Sequence, residues 1–297
     1  MMMNWIKKAG SIASIVIVSG ISIFAISNDN KNIITHEGTA YYFPTAVDFA
    51  GENTPLNIAD VNESFERELL VNANLHASTI LILKRANRSF PIIEPILKKN
   101  GVPDDFKYLA VIESGLINAV SSAGARGVWQ FMPETAKEKG MEVNEFVDER
   151  YHLEKATEAA CKYLLTAKLK FGSWTLAAAS YNGGMTGVNK QIDIQKVNNY
   201  YDLLLNDETS RYVFRILALK EIMKNPEKFG FEVPKQELYS IFQTRTIEVD
   251  STITNLADFA ISQGINYKIL KIYNPWLRDS KLENKTGKKY SIQIPLQ

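Results

Sequence analysis

The stretch from Leu153 to Phe171 constrains the fold most. Leu153, Ala156, Ala160, Tyr163, Leu164, Ala167 and Phe171 recur at three- and four-residue steps, and Gly172 follows. That spacing gives a helix one apolar face, which has to be buried against another element. Ser173 suits the cap of a next helix, Trp174 to Tyr181, whose Ala177-Ala178-Ala179 run lets a neighbouring helix approach closely. Asn182-Gly183-Gly184 ends it, a loop rich in Asn and Tyr follows, and Glu208-Thr209-Ser210-Arg211-Tyr212 opens a last helix that Pro226 stops near Lys224. The expectation is a mainly α domain.

Upstream, residues 30 to 60 sustain no period and read as a linker. Asn62-Glu63-Ser64 offers a cap before Phe65, Leu69, Leu70 and Ala73, and a second helix covers Leu75 to Ala86. Pro91 and Pro95 bracket a short helix that Gly101 closes, and Val102-Pro103-Asp104-Asp105 starts the helix carrying Glu113. Pro133 suits a first helical turn and Gly140 its stop, while Val143 to Tyr151 reads as a polar loop with two acids, Asp148 and Glu149. Beyond Pro234 the pattern changes. Thr244–Val249 alternates as a strand, Thr252–Gln263 and Tyr267–Tyr273 are helical, and Lys289–Pro295 alternates again. This β-α-α-β unit has the size of a binding module.

Charge and cysteine usage narrow the function classes. The 34 basic and 33 acidic side chains leave a net charge of +1, with no basic stripe interleaved with aromatics, so nucleic acid is not an expected partner. The single cysteine, Cys161, excludes an intrachain disulfide framework and reads as a packing residue, and His36, His76 and His152 lack metal-ligand spacing. No metal or organic cofactor is expected. At the N-terminus Lys7-Lys8 precede an apolar run from Ala9 to Ile26 and a polar exit at Ser27-Asn28-Asp29-Asn30. Residues 1–27 therefore read as an export signal or an uncleaved membrane anchor.

The candidate chemistry lies in Tyr108–Pro133. Glu113 ends the apolar run Leu109-Ala110-Val111-Ile112, with Gly115 just beyond. A carboxyl desolvated this way has a raised pKa, which suits a general acid at neutral pH. The heptapeptide alone describes a surface glutamate better; the residues after it shift the balance. Ser121 to Gly127 form a bend of small residues, and Gln130 and Met132 would share a face on an extended segment, one offering hydrogen bonds and the other an apolar wall. Trp129 and Phe131 read as core. The Tyr181-Asn182-Gly183-Gly184 cluster would project a phenol and an amide into a cleft, although Asn-Gly is first of all a turn signal.

Taken in order, Glu113-Ser114, Gly124-Ala125-x-Gly127-x-Trp129-Gln130-Phe131-Met132-Pro133, Ala177-x-x-x-Tyr181-Asn182-x-Gly184 and Glu208-Thr209-x-x-Tyr212 resemble the soluble lytic transglycosylase (SLT) domain, in its membrane-bound lytic murein transglycosylase D form. The resemblance runs from about Phe90 to Phe231. The C-terminal unit is similar to a LysM glycan-binding module, with Asp250-Ser251-Thr252-Ile253 where that family usually has Gly-Asp-Thr-Leu, and Asn274-Pro275 matching the usual Asn. Many SLT domains also carry Pro where Ala119 stands.

The resemblance implies a goose-lysozyme-like helical catalytic domain over residues 90–232, after an N-terminal linker and helical extension at 28–89 and before a LysM-like module at 240–297. It implies cleavage of the MurNAc-β-1,4-GlcNAc bond of peptidoglycan glycan strands with formation of 1,6-anhydro ends. Glu113 would be the single acid and base, where most glycosidases use two carboxylates. Ser114, Gln130, Met132, Tyr181 and Asn182 would line the groove, with Tyr181 orienting Glu113 and with Glu208 and Tyr212 in support. The implied location is the cell envelope, on the periplasmic side. The rivals are a muramidase-type hydrolase that recruits Asp148 or Glu149, and a non-catalytic peptidoglycan binder.

Overall fold

The computed structural model describes residues 42–296. The expected signal or anchor at 1–27 and the start of the linker lie outside the described residues, among which no helix is long and apolar enough to cross a membrane.

Residues 42–58 form more than a linker. A two-residue hairpin, β1 (Asp48–Phe49) against β2 (Glu52–Asn53), turns through Ala50 and Gly51 at positive φ. It buries Val47 and Phe49, and Phe43 packs edge-on against Phe65. The hairpin is held from below by Lys220, a buried lysine that donates to Asp48 O and Asp105 Oδ2, each at 2.7 Å. Helix α1 (Ala59–Asn74) starts three residues before the expected Asn62 cap. Asn62 is inside it, its amide donating to Leu56 O.

Helix α2 runs unbroken from His76 to Lys99 with Pro91 and Pro95 inside it, where two shorter helices were expected. Each proline removes one backbone donor. The buried face Thr79, Ala86, Ser89, Ile93, Leu97 nevertheless continues through both, and packing of that face on α5 and α3 outweighs the lost bonds. The expected boundary between residues 89 and 90 thus falls within one helix, and residues 47–97 share their core with the chain up to Phe231.

The remaining helices of the larger body are α3 (Phe106–Ser114), α4 (Pro133–Glu138), α5 (Leu153–Phe171), α6 (Trp174–Gly183), α7 (Met185–Gln195) and α8 (Asp207–Lys224). Ser173 caps α6 by accepting from Leu176 N, and Gly172 ends α5 in the left-handed region. Helix α6 is the centre of this body. Leu176, Ala177, Ala178 and Ala179 are fully buried, and the helix packs on α5, α7 and α8. Helix α7 stands where a loop was expected; only Val188 is fully buried in it, with Met185 and Ile192 partly buried one turn to either side, a short stripe with Gly187 and Asn189 inside it.

The C-terminal unit is as expected in order: β3 (Thr244–Val249), α9 (Leu256–Ser262), α10 (Tyr267–Tyr273) and β4 (Tyr290–Pro295), with β3 and β4 antiparallel and Thr244 opposite Pro295. Its apolar core, formed by Leu256, Leu270, Trp276, Leu277 and Ile292, also includes Val147 and Tyr151 of the larger body. Those two belong to the stretch expected to be a polar loop. There Asp148, Glu149 and Arg150 are buried in a short 3-10 turn, Glu149–Tyr151, because their charges are paired with one another and with lysines.

Candidate active site

Helix α3 delivers Glu113. Its Phe106, Leu109 and Ala110 are fully buried, which fixes the helix, and Gly115 ends it at φ 60 with its N–H on Val111 O. Glu113 sits in the last turn, half-buried. Burial pushes its carboxyl from 4.5 up to about 7; a hydrogen bond from Tyr212 and the field of Arg215 pull the other way, and the field of Glu208 adds to the rise.

After Gly115 the chain turns through Leu116, a non-glycine at φ 61, into a strap covering residues 116–132. Isolated bridges pair Arg126 with Val120 and with Phe131. The strap is fastened at several points. Ser114 Oγ donates to Val128 O at 2.8 Å, and the fully buried Trp129 donates from Nε1 to Thr157 Oγ1 at 2.8 Å. Gln130 Nε2 donates to Ala119 O and Gly127 O at 3.1 and 2.7 Å. Gln130 itself is at φ 49, so it does not share an extended face with Met132, and its amide N–H groups close the bend from inside. Met132 is 39% exposed, and Ile117 and Val120, at the other end of the strap in sequence, are exposed too.

The expected pairing of Tyr181 with Glu113 is not found. Tyr181 Oη donates to Trp129 O at 2.7 Å, and it is Tyr212 Oη, from α8, that donates to Glu113 Oε1. Burial raises both phenols well above 10, with Glu113 contributing in each case. Two tyrosines therefore stand in the field of the acid, one bonded to it and the other fixing the strap. Asn182 is held at both ends of its amide, donating to Glu208 Oε1 at 2.9 Å and accepting from Thr209 Oγ1 at 2.7 Å. Helices α6 and α8 meet here closely. A Cβ on Gly183 would lie 3.1 Å from the Thr209 side chain, which leaves a larger residue little room.

Sequence reasoning missed two contributors. Arg215 lies one helical step beyond Tyr212, a signal that was present in the i, i+3 spacing. Arg150 was hidden, and Asp148 read as a spare acid, because pairing between charges leaves no mark in a charged tripeptide. A hollow of about 690 Å³ lined by Leu83, Phe90, Met223 and Phe231 shares no residue with the Glu113 cluster, so size alone does not locate the chemistry.

Residues 90–204 match the Transglycosylase SLT domain family. The chain carries an SLT domain. Residues 245–297 match the soluble lytic transglycosylase C-terminal LysM-like domain. Two curated relatives, each named "Membrane-bound lytic murein transglycosylase D" and coming from Escherichia coli K12 and Escherichia coli O6:H1, are 28% identical over 256 residues. That alignment covers 83% of this chain and 55% of theirs, so the chain spans about half the length of the curated relatives it matches. The matched SLT range contains Glu113, Ser114, Gln130, Met132, Tyr181 and Asn182. Glu208 and Tyr212 lie beyond its end, although Tyr212 makes the direct bond to the acid.

Proposed function

We propose that the chain is a peptidoglycan lytic transglycosylase of the cell envelope in which Glu113 is the sole acid and base. The observation that carries this reading is a desolvated carboxyl with a pKa near 7, bonded to a phenol, in a chain that carries an SLT domain. A carboxyl of that kind is protonated often enough at neutral pH to act as an acid and is basic enough to act next as a base. Its proton passes to the glycosidic oxygen as the C1–O4 bond breaks. The carboxylate then takes the proton of the substrate's own C6 hydroxyl as O6 closes on C1, leaving a 1,6-anhydro end. No water is consumed, and Glu113 ends the cycle protonated as it began.

In this scheme Tyr212 orients Glu113, and Ser114, Gln130 and Tyr181 hold the strap that forms one wall of the glycan groove. Met132 is the exposed apolar part of that wall, and the Asn182–Glu208–Thr209 cluster faces it from the α6–α8 junction. The hydrolase rival recruits Asp148 or Glu149 as its second carboxylate. Asp148 is held by Arg150, and Glu149 by Lys155 and Lys288, which favours the transglycosylase. We assign residues 1–27 to export or anchoring and the protein to the periplasmic side of the envelope, where peptidoglycan lies.

Digestion of purified peptidoglycan with the exported portion, followed by mass spectrometry of the products, tests the reading. Anhydro-muramyl ends are expected. Reducing ends would mean a hydrolase, and intact polymer a binder. Glu113→Gln should lower release by a factor of about 10³ or more while leaving the fold intact.

A further inference from the structure

The buried turn at residues 148–150 joins the groove strap to the C-terminal module. Arg150 is 3% exposed. Its guanidinium grips Asp148 with two parallel bonds, Nε to Oδ1 at 2.8 Å and Nη2 to Oδ2 at 2.7 Å. The remaining arm, Nη1, reaches Gly124 O and Phe131 O, each at 3.2 Å. Those carbonyls lie on the two sides of the bend in the strap. The strap also meets this residue backbone to backbone: a Cβ on Gly127 would lie 1.8 Å from Arg150 O. From the strap itself Arg126 reaches back to Asp148 at 3.5 Å. A planar fork that satisfies a carboxylate and two carbonyls at once is a task lysine cannot copy.

The opposite side of the same turn is held by the module. Asp148 N donates to Trp276 O at 2.9 Å, Arg278 N donates to Phe146 O at 2.8 Å, and Val147 pairs with Leu277. Lys288 Nζ donates to Glu149 Oε1 at 3.1 Å and Tyr290 Oη to Glu142 at 3.0 Å. Arg278 lies over the Tyr151 ring at 4.2 Å. Asp148 is therefore shared, its backbone fixed by the module and its carboxylate by the residue that pins the strap.

We propose that Arg150 is the positioning residue of the groove strap, and that the LysM-like module, by gripping the Asp148–Arg150 turn, is part of the active-site framework in addition to any glycan binding of its own. The mechanical coupling stands on the contacts alone; its effect on substrate rests on the transglycosylase reading. Arg150 touches neither the acid nor the glycan, so loosening it changes how well the groove wall is formed and leaves the chemistry of Glu113 as it was.

Hydrogen exchange on the full protein tests the coupling without any substrate. In Arg150→Lys the amides of Arg126 and Phe131, which bond to each other's carbonyls across the bend, should exchange about tenfold faster, as expected for the loss of one charge-assisted hydrogen bond. The module-side pair Lys288→Ala with Tyr290→Phe, which leaves the strap untouched, should speed the same amides by a smaller factor. Lys285→Ala, on the solvent-exposed side of the Lys285–Glu283 ion pair within the module, should not. On a soluble glycan fragment too short to bridge to the module, Arg150→Lys should raise KM by about tenfold with kcat and its alkaline limb unchanged. Strap amides that ignore the module-side pair overturn the coupling, as does an unchanged KM in folded Arg150→Lys. If Arg150→Lys does not fold, the module-side pair decides alone. Failure of the Glu113→Gln protein, with Arg150 intact, to bind glycan would remove the enzymatic reading and leave the exchange experiment to judge the coupling.

Discussion

Glu52 and Glu113 are the same side chain in opposite circumstances. Glu52 reaches from the N-terminal hairpin to the start of α6. There it accepts from Ser173 Oγ, Thr175 Oγ1 and the N–H groups of Trp174 and Thr175, with Lys168 at 3.1 Å. Burial would raise its pKa, but those hydrogen bonds outweigh burial and bring it down to about 2. Glu113 lies in the last turn of α3 and accepts no backbone N–H bond among the described residues. One phenol bonds it, no ion pair reaches it among the described residues, and burial wins. Donors at a helix start stabilise an anion, whereas a helix end offers it none. The lesson is that desolvation alone does not make a reactive carboxyl: it does so where the surroundings decline to compensate the charge. Both residues bear on the same cleft, since Glu52 fixes the start of the helix whose far end carries Tyr181 and Asn182.

The contrast predicts stability effects of opposite sign. Glu52→Gln should destabilise the fold by about 2–3 kcal/mol at pH 7. Its carboxylate has a depressed folded pKa, so the stability it gives is present above pH 4.5 and is lost as pH falls toward 2. The penalty of the substitution should shrink over that interval. Glu113 has a raised folded pKa, so its contribution is intact below pH 4.5 and is lost as pH rises through about 7. Glu113→Gln should therefore leave stability unchanged at pH 4 and increase it by up to about 3 kcal/mol at pH 8. Urea unfolding of both variants across this range checks the pair. Parallel pH profiles would mean that the two sites do not differ in the way described.

How far the sequence disclosed these features depended on whether a local pattern carried them. The α5 face at Leu153–Phe171 and the β3–α9–α10–β4 order were legible because periodicity and turn residues are local. The unbroken α2 was not, because two prolines are a strong local stop and only tertiary burial of Ile93 and Leu97 overrides them. Helix α7 was missed because its apolar stripe is only Met185, Val188 and Ile192, with Gly187 and Asn189 inside it. At the site, Glu113 and its Gly115 stop were readable, while the choice between Tyr181 and Tyr212 as its partner was not. Each is a tyrosine in a matching motif, and only the α3–α8 packing sets which hydroxyl reaches the acid. Asp148 and Glu149 looked like spare acids for the same reason: their partners Arg126, Lys155 and Lys288 arrive from elsewhere in the chain.

The two phenols give the finest form of the comparison, because they separate holding the acid from holding the wall. Tyr212→Phe removes the bond to Glu113, which now favours the ionised form. The acid's pKa should rise, moving the alkaline limb of kcat upward, while loss of orientation lowers kcat itself by about 10- to 100-fold. Tyr181→Phe removes a bond to Trp129 O, a strap carbonyl, and leaves the acid's own partner in place. Its main effect should be on KM, a rise of roughly three- to tenfold, with the alkaline limb nearly fixed. Both rings remain to fill their buried sites, so each variant should fold. Rate profiles from pH 5 to 9 on one soluble glycan substrate distinguish the two. A limb that moves in Tyr181→Phe and stays still in Tyr212→Phe would reverse the assignment and return Tyr181 to the role its motif first suggested.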